Sequence, residues 1–86
     1  MSKLTIFHLP GCPYCRKARQ ALEELDTSGV EIEWIDESAN AAEAEKYDYY
    51  YVPAVFRGGD KLFEAKPADT YETIREGLRA SIAAGR

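Results

Sequence analysis

The sequence predicts an α/β fold with the element order β-α-β-α-β-β-α, a parallel unit followed by an antiparallel hairpin and a closing helix. Three observations carry that expectation. Residues 4–9 form an apolar, strand-like run that stops at the turn signal Pro10-Gly11 and gives way to apolar residues at helical spacing. Residues 30–34 alternate apolar with acidic side chains, the period of a half-exposed strand. Two more apolar runs flank Gly58-Gly59-Asp60, a hairpin signature, ahead of a helix with a marked start.

Each element follows from its own residues. Leu4-Thr5-Ile6-Phe7-His8-Leu9 is short and apolar, as suits a buried parallel strand. The helix after it sets Cys15, Ala18, Leu22 and Leu25, with Ala21 beside them, along one stripe. Arg16, Lys17, Gln20, Glu23 and Glu24 fill its other face, and Thr27-Ser28-Gly29 ends it. Ile35-Asp36 completes the second strand, and the crossover joining the two strands is expected to be right-handed. Residues 38–47, rich in Ala and Glu, predict a short helix with a weak apolar face. The tyrosines at 47, 49, 50 and 51 should alternate between buried and exposed. They lead through Val52-Pro53 into the third strand, residues 54–57, whose hairpin partner is residues 61–64. The last helix is expected to open on Asp69, with Glu72 three places on, the spacing of a reciprocal cap. Its stripe is Tyr71, Ile74, Leu78 and Ile82. Gly77 within it costs about 1 kcal/mol relative to Ala, unless a neighbour packs too closely for a side chain.

A single domain over residues 1–86 is expected, since 45% hydrophobic and 12% aromatic residues suffice for one core. No run is long and apolar enough to span a membrane, and the first residues lack the pattern of a signal peptide. The cytoplasm is therefore the expected compartment. A net charge of −4 argues against nucleic acid as the main partner. That charge is unevenly spread. Residues 1–22 hold Lys3, Arg16, Lys17 and Arg19 and no acid, whereas the rest holds all 15 acids against seven bases. The basic section favours a thiolate and attracts anionic partners.

It also contains the chain's two cysteines, in Cys12-Pro13-Tyr14-Cys15. A structural bridge closing so short a loop restrains the unfolded chain very little, and cytosolic thiols are held reduced. The pair therefore reads as redox chemistry. With Pro13 as the first helical residue, Cys12 faces free backbone amides and the positive end of the helix dipole. That placement is worth roughly 0.3–2 kcal/mol to a negative group. Arg16 and Lys17 push the same way, so Cys12 is the expected nucleophile. Cys15, one turn further on and in the apolar stripe, is the expected resolving thiol, and the pair forms a redox-active disulfide. Tyr14 should lie at the rim, as an exposed helix residue or as a substrate contact. A closed zinc site needs four ligands, and only His8 adds to the two thiols. Cysteine–histidine hydrolysis leaves the second cysteine without a task. A metal or iron–sulfur cluster shared between two chains satisfies the ligand count.

Cys12-Pro13-Tyr14-Cys15 after a short strand, with Val52-Pro53 about forty residues on and just before a hairpin, resembles the glutaredoxin branch of the thioredoxin-fold family. The resemblance runs from Leu4 to about Ile82. It implies a thioredoxin-like fold, a four-stranded mixed sheet flanked by three helices, with Pro53 cis and opposite the cysteines. It implies too that the backbone of Val52 pairs with bound substrate. Tyr51, beside that site, is a candidate for shaping the substrate groove.

The chain departs from the family's glutathione-binding pattern at several positions. Leu9 stands where Lys or Arg is common, Tyr51 where Thr is common, and Glu64-Ala65-Lys66-Pro67-Ala68-Asp69 where glutathione-binding members carry Gly-Gly and an Asp. Lys66 and Asp69 are the groups left to replace that cradle. The expected function is a small thiol–disulfide oxidoreductase serving cell redox homeostasis. It reduces protein or low-molecular-weight disulfides through Cys12 and Cys15 and binds no resident cofactor. A dithiol protein or flavoprotein reductase is the expected donor, with glutathione as the alternative co-substrate, and the protein is expected to be a monomer. The alternatives are an iron–sulfur or metal carrier using Cys12 across a dimer, and a thiol-dependent binding module without turnover.

Overall fold

Apolar residues on both faces make β1 (Ser2–His8) the middle of the fold in the computed structural model, which describes residues 2–85. Leu4 and Ile6 pack on one side of the sheet and Phe7 on the other, all three fully buried. The strand starts two residues before the apolar run. It pairs in parallel with β2 (Val30–Asp36), from Ser2 opposite Val30 to His8 opposite Asp36, and the ladder extends past the apolar positions. Leu9 falls outside it, because its carbonyl accepts the Cys12 amide in the turn that follows. Helix α1 (Pro13–Glu24) makes the crossover. On the other side of β1, β3 (Ala54–Arg57) and β4 (Asp60–Glu64) form the antiparallel hairpin. The sheet is mixed and four-stranded, in the order β2-β1-β3-β4. This is the architecture that the resemblance implies.

Two apolar clusters fasten the layers. Ala18 and Ala21 of α1 meet Ile74, Leu78 and Ile82 of α3 (Tyr71–Gly85) over Leu4, Ile6 and Val55. On the opposite face Phe7, Ala54 and Phe56 are covered by Ala44, Tyr47 and Tyr49. Each fully buried side chain of Ile, Leu or Phe size contributes about 1.5–3 kcal/mol. The described residues contain no helix long and apolar enough to cross a membrane.

Three expectations need correction. The helix expected over residues 38–47 is a single turn, α2 (Ala41–Ala44). Asp36 accepts both the amide and the hydroxyl of Ser38, at 2.9 and 2.6 Å, and holds the entry in a turn. At the exit, Tyr47 and Tyr49 turn their rings onto Phe7, at centroid distances of 4.7 and 5.2 Å. The tyrosines do not alternate, because that pair packs inward while Tyr50 and Tyr51 both remain exposed. The cap of α3 lies one residue later than Asp69/Glu72. Thr70 Oγ1 accepts the Thr73 amide at 3.3 Å and Thr73 Oγ1 accepts the Thr70 amide at 2.8 Å. Asp69 is drawn away from that role by the Lys66 amide and the Thr73 hydroxyl.

Gly77 has the close neighbour that its place in a helix requires. A Cβ there would sit 2.3 Å from two ring atoms of Phe63 and 2.9 Å from the ring carbon at the base of that side chain. The contact reaches down to the root of the ring, so a simple swing of Phe63 does not relieve it. Gly77→Ala gains about 1 kcal/mol of helix propensity but costs about 1–3 kcal/mol in overpacking. We expect a net loss of about 1 kcal/mol in urea unfolding, and a gain in stability would show that the ring relocates freely.

Candidate active site

The turn Pro10-Gly11, with Gly11 at φ 78, a value that favours glycine, delivers the chain from β1 to the start of α1. Cys12 is the N-cap residue in extended conformation, and Pro13 follows at the first helical position. The Cys12 amide donates to the Leu9 carbonyl at 3.3 Å, and its own carbonyl accepts the Arg16 amide at 3.1 Å. Its side chain makes no capping bond, so the sulfur is left to point elsewhere. Half-buried, it faces the Val52 carbonyl at 3.9 Å. Cys15 is buried on the inner face of α1, and both thiols are free. Burial pushes the Cys15 thiol up to about 12, and the neighbouring Cys12 thiol adds to the rise. The Leu9 backbone and the charge of Arg19 pull the other way and are outweighed. One thiol is therefore reachable at the helix start, and its neighbour is held protonated beneath it.

The loop facing them leads into β3 and is fastened to β4 and the residue after it. The Val52–Pro53 bond is cis, as the resemblance implies, and Pro53 is buried. The Pro53 carbonyl accepts the Ala65 amide at 3.0 Å. Glu64 fastens the residues just before. Its carboxylate accepts the amides of Tyr50 and Tyr51, at 2.5 and 2.7 Å, and the Lys61 ammonium at 3.0 Å. Burial works to raise the Glu64 carboxyl, but those three donors prevail and hold it below the ordinary carboxylate range. Glu64 thus sets the position of the loop that aims the Val52 carbonyl at Cys12. Sequence reasoning treats it as an ordinary hairpin residue. Its role becomes legible only with the register, in which Glu64 lies opposite Ala54 and so beside Pro53.

Glu64→Ala is expected to cost about 1–3 kcal/mol of stability and to slow disulfide exchange severalfold, because two backbone donors lose their acceptor. Glu64→Gln, which keeps one acceptor oxygen, should recover most of both. The folded carboxyl titrates below its unfolded value of about 4.3. Its contribution is therefore complete above that value and fades as pH falls through the folded one. Urea unfolding between pH 3 and 7 checks the sign, and an unchanged pH profile in Glu64→Ala would remove this account.

The remaining candidates from the sequence surround this centre at different distances. Tyr14 is half-buried and donates its hydroxyl to the Pro67 carbonyl at 2.5 Å, tying α1 to the loop between β4 and α3. Lys17 lies over the Tyr14 ring, 5.5 Å from its centre, and Arg16 is exposed. The base whose charge acts on Cys15 is Arg19, itself 4.3 Å over the Trp34 ring. Helical spacing carries that signal: Arg19 stands one turn beyond Cys15. Tyr51 is about half exposed, at 47%, next to Val52. Lys66 is exposed, and its backbone amide donates to Asp69 at 2.6 Å. Both Asp69 oxygens are engaged, one by the Lys66 amide in the loop before α3 and the other by the Thr73 hydroxyl in its first turn. His8 packs edge-on against Trp34 and is kept toward the neutral form by burial and then by Arg19, with Asp36 opposing. Among the described residues, no three His, Cys, Asp or Glu side chains are grouped to hold a metal ion.

The family model for glutaredoxin matches residues 4–62, which take in the cysteine turn, Val52-Pro53 and the hairpin as far as the middle of β4. The chain belongs to the glutaredoxin family. Thiol–disulfide oxidoreduction is the chemistry of that family. The chain is 31% identical over 83 residues to a thioredoxin of Methanocaldococcus jannaschii, an alignment covering 93% of this chain and 95% of that one. It is 35% identical over 65 residues to glutaredoxin-1 of Oryctolagus cuniculus, covering 67% of this chain and 61% of the rabbit protein. A dimeric thioredoxin-like protein from Nitrosomonas europea superposes with a TM-score of 0.60 at 29% identity, covering 86% of this chain and 95% of that one. In this chain the two sulfurs and the proline loop converge, while Asp69 is taken by the Lys66 amide and the Thr73 hydroxyl.

Proposed function

We propose that the protein is a dithiol disulfide reductase in which Cys12 is the nucleophile and Cys15 the resolving thiol. The observation that carries this reading is the contrast within one helical turn. Cys12 is half-buried at the open start of α1, and Cys15 is buried with its thiol pushed up to about 12. In the first step the Cys12 thiolate attacks one sulfur of a substrate disulfide, forms a mixed disulfide and expels the other sulfur as a thiol. Cys15 then loses its proton and attacks the Cys12 sulfur. The second substrate thiol leaves, and the Cys12–Cys15 disulfide remains. The protein has given up two electrons, and the two thiol protons end on the released thiols. Cys15 has no need of a low pKa for this, since its target is held beside it.

Protein disulfides and small disulfides are the substrates we assign. A dithiol protein or a flavoprotein reductase returns the electrons. A reducing compartment such as the cytoplasm suits two free thiols. Limited alkylation of the reduced protein with iodoacetamide near pH 7.5, followed by peptide mass mapping, tests the assignment. Cys12 is expected to be labelled first and nearly alone. In Cys12→Ser, labelling of Cys15 should stay slow and climb about tenfold per pH unit well into the alkaline range, as its raised pKa requires. Preferential labelling of Cys15 in the unmodified protein would reverse the roles.

A further inference from the structure

A groove of about 530 Å³ opens beside the thiol site, between the end of β1 and α2. Leu9, Ala41, Tyr47 and Tyr49 supply its apolar lining, and Glu37 and Glu45 line it as well. The walls are fixed rather than adaptable. Tyr49 stacks on Phe7 and donates its hydroxyl to Glu37, and burial together with that carboxylate keeps the phenol protonated. A neutral donor leaves the negative charge of Glu37 in place. The one base of this stretch, Lys46, is taken by Glu43 at 3.2 Å, and no cation pairs with Glu37 or Glu45 among the described residues.

The Leu9 wall of the groove lies one turn from Cys12. The bond from the Cys12 amide to the Leu9 carbonyl closes a turn, which keeps the two Cα atoms within about 7 Å. That is two residues of extended chain. Val52, whose carbonyl faces Cys12, packs on the same cluster as Tyr47 and Tyr49. A polypeptide held at the sulfur therefore passes its neighbouring side chains over the groove. The lining suits an aliphatic side chain, and the two carboxylates suit a lysine or arginine.

We propose that this groove selects the substrate: a protein segment with an aliphatic and a basic residue within about four positions of the attacked cysteine. The proposal rests on the exchange reaction assigned above and names its preferred polypeptide. Burial of the aliphatic side chain supplies affinity, and the carboxylates supply charge selection and a faster encounter. An acidic segment meets repulsion at the same place.

The test mixes pre-reduced protein with disulfide-linked dimers of short peptides in single turnovers, read by acid quench and mass spectrometry. The peptides differ only beside their cysteine: leucine with arginine, leucine with glutamate, or serine with arginine. Bis(2-hydroxyethyl) disulfide, small and neutral, reports the chemistry apart from the groove. Each rate is divided by that of dithiothreitol with the same disulfide, which removes intrinsic reactivity. At low ionic strength the leucine–arginine peptide should react about three- to tenfold faster than the leucine–glutamate one, with the gap shrinking as salt is added. It should also outpace the serine–arginine peptide. Glu45→Lys and Ala41→Lys, both at exposed positions, should each shrink or invert the charge preference, with circular dichroism confirming that they fold. Equal rates for all peptides overturn the proposal, as does a preference indifferent to both variants. A basic preference without the leucine preference rejects the groove in favour of surface charge alone. Failure with every disulfide, the small one included, refutes the exchange reaction itself and this proposal with it.

Discussion

Cys12→Ser is expected to abolish disulfide exchange, with a loss on the order of 10³-fold or more. A serine hydroxyl at this place offers no thiolate, and Cys15 cannot substitute for it. The inner thiol is buried and its proton is held up to about 12, so almost none of it is ionised near neutrality. Cys15→Ser should behave quite differently. The first attack proceeds, the mixed disulfide on Cys12 is not resolved from within, and the protein accumulates joined to its substrate. Intact-mass spectrometry after mixing with a disulfide peptide reads both results. The expected products are an unmodified chain for Cys12→Ser and a one-to-one adduct for Cys15→Ser. An adduct on Cys12→Ser, or clean release from Cys15→Ser without added thiol, would break the two-thiol sequence.

The pair and its setting were legible because they depend on local rules. A strand, a Pro-Gly turn and a proline after the first cysteine place that cysteine at a helix start, and the structure has it there. The alternation in β2 and the Gly-Gly turn likewise set the parallel pair and the hairpin. What escaped were features decided by tertiary contacts. Asp36 and the Phe7 ring cut α2 to one turn, a result that Ala and Glu propensities do not contain. The cap of α3 moved to Thr70 because Asp69 serves the Lys66 amide instead. Glu64 gained its three donors only through the register of β4 against β3. Lys17 and Arg19 look equivalent in sequence, yet one lies over Tyr14 and the other over Trp34, from where its charge acts on Cys15. The residue types announce the chemistry, and the long-range packing decides which charges and which loops attend it.

Glutathione is expected to be a poor electron source and a poor mixed-disulfide partner for this protein. Its two carboxylates need cations or free amides, and the places that supply them in glutathione-binding members are filled otherwise. Leu9, in place of a base, helps to line a groove that Glu37 and Glu45 line as well. Asp69 has one oxygen taken by the Lys66 amide and the other by the Thr73 hydroxyl, so it is not free to meet the ammonium of the tripeptide. The amides of Tyr50 and Tyr51, just before Val52, are taken by Glu64. Lys66, on the loop between β4 and α3, is an exposed cation, as is Arg16 beside the cysteines. Each missing charge-assisted hydrogen bond forfeits roughly 1.5–3 kcal/mol. Two such losses weaken recognition by about two to four powers of ten. Steady-state turnover of a glutathione mixed disulfide should thus be slow and nearly linear in substrate up to millimolar levels. The same protein should turn over faster when thioredoxin reductase or a dithiol protein supplies the electrons. Leu9→Lys is the constructive arm of the test. Restoring a cation where Leu9 now meets the groove should lower the KM for the glutathione disulfide about tenfold and leave kcat much less changed. Micromolar saturation by glutathione in the unaltered protein would show that Lys66 and backbone groups rebuild the cradle, and the donor assignment would fall.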